Sequence, residues 1–106
     1  MRHIRLMQII ALRTLKAFWI LHPKAEQPLK GWFSVVGRAE WRVPADVRLT
    51  YRSADFIADN RVIFNIGGNN FRLVSRVIYE FKAVQIKFIG SHAEYDKIDP
   101  VTVEAV

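Results

Sequence analysis

Cysteine is absent from this 106-residue chain, which removes disulfides, thiolate nucleophiles and every cysteine-containing zinc site. Histidine is scarce: His3, His22 and His92 are all there is, none spaced as HxxxH or HxH. No acidic cluster stands ready to build a metal centre from carboxylates alone. No metal and no cofactor are expected. Long apolar runs are also missing. None approaches the roughly 18 residues of a membrane span, and Arg2, His3 and Arg5 interrupt the region where a signal peptide is continuously apolar. The cytoplasm is the default compartment, with no membrane partner. Internal repeats and low-complexity segments do not occur.

What is present is an ordinary globular composition, 51% hydrophobic and 25% charged, with three tryptophans, three tyrosines and seven phenylalanines. The length suits one domain over residues 1–106 and a single core. A formal charge of +6 points towards a polyanionic partner, because basic surfaces gain affinity by displacing counterions from phosphates.

Ile4 to Ala11 mixes apolar and basic residues in near alternation and reads as a strand. Met7 is an alternative start, which would make residues 1–6 an extension. Leu12, Leu15, Phe18 and Trp19 recur at helical spacing up to Leu21, and Pro23 stops that helix. Pro28, behind Glu26, opens a second helix carrying Leu29, Trp32, Phe33 and Val36, with Gly37 ending it and Gly31 inside it at a cost of about 1 kcal/mol relative to alanine. Pro44-Ala45-Asp46 starts a helical turn in a connector that closes near Asp55. A meander comes next: Arg61 to Ile66, a Gly67-Gly68-Asn69 turn, Asn70 to Tyr79, a turn near Phe81-Lys82, and Ala83 to Ile89. His92 to Ile98 suits one helical turn, and residues 100–106 read as a loosely held tail. The fold class is α+β: a small twisted antiparallel sheet in the order β-α-α-β-β-β, with two N-terminal helices on one face.

Strand alternation places Arg72, Val74, Arg76 and Ile78 on one face, opposite Phe71, Leu73, Ser75, Val77 and Tyr79. Extended to the last strand, it groups Lys87 with Gln85 and Ile89, giving a basic sheet face of Arg72, Arg76 and Lys87. An ordinary solvated sheet face shows the same pattern. The chemistry suggested is RNA cleavage, in which a 2′-hydroxyl is deprotonated, the phosphorane stabilised and the leaving 5′-oxygen protonated. Arg72 fits phosphorane stabilisation through its bidentate guanidinium, with a salt bridge to Glu94 or Asp96 as its structural alternative. His92 and Tyr95, three residues apart just beyond the strand end, suit proton transfer and substrate orientation. Arg52, Arg76, Lys87 and Lys97 are candidate phosphate contacts that position RNA without reading it. Gly67-Gly68 precedes no helix and reads as a hairpin turn, and Glu94 and Asp96 read as orienting or structural.

Three segments carry a family resemblance: Phe64-Asn65-Ile66-Gly67-Gly68-Asn69, Phe71-Arg72-Leu73-Val74 and Ser91-His92-Ala93-Glu94-Tyr95-Asp96. They resemble the FNIGGN turn, YRLV-like strand and THAEYD-like ending of HigB-type mRNA interferase toxins, a branch of the RelE-like superfamily. The resemblance spans about Met7 to Asp99 and implies the RelE-like fold with an RNA-accepting face. It also implies mRNA cleavage, typically on the ribosome, with Arg72, His92 and Tyr95 at the catalytic centre. The implied partner is a HigA-like helix-turn-helix antitoxin, through which alone operator DNA would be met. The competing readings are a basic RNA- or ribosome-binding module without chemistry and an interaction protein whose basic face binds an acidic protein.

Overall fold

The computed structural model describes residues 6–105; residues 1–5 of the expected extension, and with them the first residues of the strand expected from Ile4, lie outside these. Strand β1 (Gln8–Ile10) passes directly into helix α1 (Leu12–Leu21) through Ala11, which takes a left-handed φ of 76° to make the corner. A single 3₁₀ turn at Pro23–Ala25 leads into α2 (Glu26–Arg38), and α3 (Pro44–Thr50) starts at its proline as expected. The remaining chain forms β2 (Asp55–Ile57), β3 (Arg61–Ile66), β4 (Phe71–Ile78), β5 (Ala83–Ser91) and the one-turn helix α4 (His92–Tyr95).

The five strands are ordered β1-β5-β4-β3-β2. The α+β architecture with helices on one face is the expected one, and it carries two additions. β1 pairs with β5 in parallel, so the sheet is mixed. β2 adds an edge strand through a tight hairpin in which Asp59 and Asn60 both adopt positive φ, at 65° and 56°. Gly67 and Gly68, at φ 62° and 67°, make the β3–β4 turn.

The inner face of the sheet packs Val62, Phe64, Leu73, Val77, Val84 and Ile86 against Leu15, Leu29, Trp32 and Val36 of the helices. Burying each side chain of this size contributes roughly 1.5–3 kcal/mol. Phe64 is the hub: Trp41 stacks on it at 6.0 Å, while Trp32 and Tyr51 meet it edge-on at 5.4 and 5.3 Å. His22 stacks on Phe18 at 4.2 Å and so belongs to the packing of the helices. Ser75, fully buried on the inner face, donates its hydroxyl proton to the Val62 carbonyl at 2.9 Å. Gly31 lies on the exposed side of α2, where an added Cβ would meet nothing within 4 Å.

The outer face departs from simple alternation. Val74 pairs with Phe88 and Ser75 with Ile86, leaving Lys87 as an extra residue in β5. This bulge inverts the facing of the next two residues: Ile89 turns inward to pair with Leu73, and Phe88 turns outward beside Val74. The expected grouping of Ile89 with Lys87 is thereby overturned.

Residues 100–105 were expected to be loosely held, but they are tied to this outer face. The Arg61 guanidinium, 3% exposed, donates to the carbonyls of Pro100 and Val103 at 3.0 and 2.7 Å and to Glu104 at 2.9 Å. Lys87 Nζ donates to the other Glu104 oxygen at 2.7 Å. Asp99 organises the turn that delivers the segment, its carboxylate accepting from Val101 N–H at 2.9 Å. The two bonds from the buried guanidinium to carbonyls are of the charge-assisted kind worth about 1.5–3 kcal/mol each, and composition alone does not reveal them.

Candidate active site

At the other end of the outer face, the β3–β4 register sets Asn65 directly opposite Arg72, and the β4–β5 register sets Gly90 on the far side of Arg72. Gly90 is required by close approach: a Cβ there would lie 2.5 Å from Phe88 Cζ. The Phe88 ring therefore lies across the backbone next to Arg72 and meets Tyr95 at 6.4 Å. Tyr95 comes from α4, whose orientation is set by a capping box. Ser91 N–H donates to Glu94 Oε1 at 2.7 Å, and Glu94 N–H donates to Ser91 Oγ at 3.2 Å. The Ser91-His92-Ala93-Glu94 segment is thus first of all a device that starts a helix at a strand end.

The result is a stacked pair. The Arg72 guanidinium carbon sits 5.0 Å from the centre of the Tyr95 ring, a cation–π arrangement. Arg72 Nη1 lies 3.6 Å from the carboxylate of Asp55 on β2. That carboxylate takes the place of the Glu94 or Asp96 bridge weighed from sequence. Burial raises the Tyr95 hydroxyl above the ordinary tyrosine range; Arg72 opposes this, while Asp55 and Asp96 reinforce it. The phenol accordingly stays protonated at neutral pH. Arg72 Nε, Asn65 Oδ1 and His92 Nε2 are all enclosed without hydrogen-bond partners. Such atoms carry a desolvation cost of about 1–3 kcal/mol each; Trp32 Nε1, Arg61 Nε and Gln85 Oε1 are enclosed in the same way elsewhere, and what distinguishes this site is that three of them gather around one guanidinium.

The other expected site residues are distributed differently. Lys87 is committed to Glu104 and Arg76 to Asp59, at 3.4 Å, so the continuous basic face foreseen from alternation is neutralised by the protein's own carboxylates. Lys97 is exposed, with no ion pair among the described residues. Arg52 shares a shallow depression with Arg48 and Leu49 at the β2 side, where Arg48 stacks over Phe56 at 4.7 Å. His92 opens α4, yet no hydrogen bond joins it to Arg72 or Tyr95. Among the described residues, no three histidine, aspartate or glutamate side chains converge as metal ligands, and no helix is long and apolar enough to cross a membrane. Sequence reasoning missed Asp55, whose signal was the Asp59-Asn60 turn that makes β2 a strand.

An arginine held on a central strand thus stands against a protonated tyrosine and beside an accessible carboxylate in a small basic α+β protein. Residues 25–98 match the family model for the RelE-like toxic component of a toxin–antitoxin system, HigB_toxin, and the chain belongs to that family. It is 26% identical to the mRNA interferase toxin HigB of Escherichia coli K12 over 92 residues, covering 85% of this chain and 88% of that protein. The mRNA interferase HigB of Shigella flexneri matches equally. That of Escherichia coli O6:H1 is 28% identical over 79 residues, covering 73% of this chain and 77% of that protein. The residues matched by the family model include Asp55, Arg72, His92 and Tyr95.

Proposed function

We propose that this chain is the toxin of a type II toxin–antitoxin pair and an endoribonuclease that cleaves mRNA, as the names of its relatives describe those proteins. The observation that carries the reading is the Arg72–Tyr95 stack beside Asp55. It offers a fixed bidentate cation for a scissile phosphate and a protonated phenol at the same place. Cleavage proceeds by attack of the ribose 2′-hydroxyl without a metal ion. Arg72 neutralises the phosphorane, Tyr95 supplies the proton to the leaving oxygen, and His92, which the resemblance places beside Tyr95 in proton transfer and substrate orientation, is left the orienting part because its Nε2 is enclosed. Arg52 and Lys97 steer the RNA backbone, whereas Arg76 and Lys87, expected to do the same, are held by Asp59 and Glu104. The substrate is mRNA on the ribosome, and the neutralising partner is a HigA-like helix-turn-helix protein in the cytoplasm.

The test is induced expression of the intact chain and of the double variant Arg72→Ala, His92→Ala, with cellular mRNA ends mapped in both cultures. Growth arrest with new mRNA cuts, both lost in an equally abundant variant, is the expected result. Unchanged growth and transcripts under good expression of the intact chain would turn the reading towards a non-catalytic RNA-binding module. Retained cleavage by purified protein in excess chelator is expected of a metal-free reaction.

A further inference from the structure

The proposed reaction needs a group that accepts the 2′-hydroxyl proton. We propose that this group is Asp55, which makes it a catalytic residue of the site; the inference rests on the endoribonuclease reading above. The register β2–β3–β4 places Asp55 opposite Ile63, on the outer face and two residues along β3 from Asn65, the direct neighbour of Arg72. Its carboxylate is 63% exposed and stands 3.6 Å from Arg72 Nη1. That separation exceeds a normal hydrogen bond, and the carboxylate accepts no hydrogen bond from any described residue. Its lone pairs are unspent, and they lie beside the place where the Arg72 fork would hold a phosphate. A ribose 2′-hydroxyl is vicinal to the scissile phosphate, so a base adjoining the phosphate site is within reach of it.

The other acceptors are occupied or enclosed. Glu94 is consumed by the capping box, Glu104 by Arg61 and Lys87, and Asp59 by Arg76. His92 Nε2 is sealed from solvent. Asp96 acts on Tyr95 but makes no ion pair with Arg72. Tyr95 retains its proton and is the complementary donor. The charged and titratable groups facing Asp55 are therefore Arg72 from β4 and Tyr95 from α4, with Asp96 acting on Tyr95 from behind.

In the step so assigned, the O2′–H proton passes to a carboxylate oxygen of Asp55. O2′ forms its bond to phosphorus, the bond from phosphorus to O5′ breaks, and O5′ leaves with the Tyr95 hydroxyl proton. The products are a 2′,3′-cyclic phosphate and a 5′-hydroxyl end. Solvent then returns one proton to Tyr95 and removes one from Asp55, so the cycle is balanced.

The experiment compares the full chain with Asp55→Asn, Asp55→Glu and Tyr95→Phe on an RNA oligonucleotide, free and on ribosomes, from about pH 4 to about pH 8. A second substrate carries sulfur in place of the leaving 5′-oxygen. Asp55→Asn is expected to lose at least about 100-fold in rate with RNA affinity and melting temperature retained. It should also abolish the acid limb of the intact chain's pH–rate profile, and Asp55→Glu should restore part of the rate. The sulfur leaving group, which needs no proton, should rescue Tyr95→Phe and leave Asp55→Asn slow. Cleavage by Asp55→Asn within a few-fold of the intact chain overturns the inference. So does a loss with the acid limb preserved, or a rescue by sulfur. An intact chain that cuts no RNA in either setting removes the endoribonuclease reading and this inference with it, whereas cutting unaffected by Asp55→Asn removes only the latter.

Discussion

The outer face of the sheet has two ends built from similar residues and left in opposite states. Around Arg61 the protein supplies partners at bonding distance: two carbonyls and one carboxylate of the C-terminal segment answer the terminal guanidinium nitrogens, only Nε being left without a hydrogen bond, and Lys87 completes the pair with Glu104. Around Arg72 the groups are near one another and unsatisfied, with its Nε, Asn65 Oδ1 and His92 Nε2 unpartnered and Asp55 beyond hydrogen-bond range. Both arginines sit on central strands and both face away from the helices. An arginine row on a strand does not, then, by itself mark a binding surface. What separates a fastening from a candidate site is whether the protein supplies its own anion at bonding distance.

The strongest challenge to this contrast is Arg72→Ala. Removing the guanidinium at the unsatisfied end should reduce cleavage by roughly 10²–10³-fold while shifting the melting temperature little. A comparable loss in Arg72→Lys is expected where bidentate geometry matters. Arg61→Ala should do the reverse, destabilising by about 3 kcal/mol, which for a chain of this size is a fall of more than roughly 10 °C in Tm. Cleavage per folded molecule should persist, and both quantities are read by pairing calorimetry with single-turnover assays. Ser91→Ala lies between the two ends. Loss of the cap should cost about 1 kcal/mol and lower the cleavage rate by loosening Tyr95, with the proton-transfer step more affected than RNA affinity.

The smallest effect concerns pH. The Lys87 hydrogen bond holds the Glu104 carboxyl below its ordinary range, with Arg61 adding to this. A carboxyl lowered on folding contributes stability that is present above its unfolded pKa and is lost as pH falls through the folded value. The stability difference between the intact chain and Glu104→Gln should accordingly be constant near neutrality and vanish on acidification below the carboxylate range, as followed by denaturant titration.

Sequence reasoning reached the locally encoded parts. The spacing of Leu12, Leu15, Phe18 and Trp19 marked α1 from end to end, and β3 and the glycine hairpin were equally legible because each depends on neighbours along the chain. β2 was passed over because three residues are too few to show alternation. The bulge at Lys87 is a property of two strands in register, so alternation read along β5 alone assigned Phe88 and Ile89 to the wrong faces. The anchoring of residues 100–104 depends on Arg61, about forty positions earlier. At the candidate site, Arg72 and Tyr95 were picked out and meet in space. Asp55 was invisible because its strand was, and the Ser91–Glu94 box was legible as S-x-x-E but was overshadowed by the histidine inside it.

The place of β5 in the strand order β1-β5-β4-β3-β2 bears on the timing of biosynthesis. β1 and α1 emerge first, yet β1 must wait for residues 83–91 before it has a strand to pair with, and α1 packs on that same strand. Until then the nascent chain holds a β2–β3–β4 ribbon with an open edge, and such ribbons are seldom stable alone. Closure therefore spans most of the polypeptide in one late, non-local event. His92 and Tyr95 emerge immediately behind the strand that triggers it. A polypeptide interrupted before β5 carries Arg72 and Asp55 without the tyrosine cap, so the candidate site is assembled only together with the completed sheet.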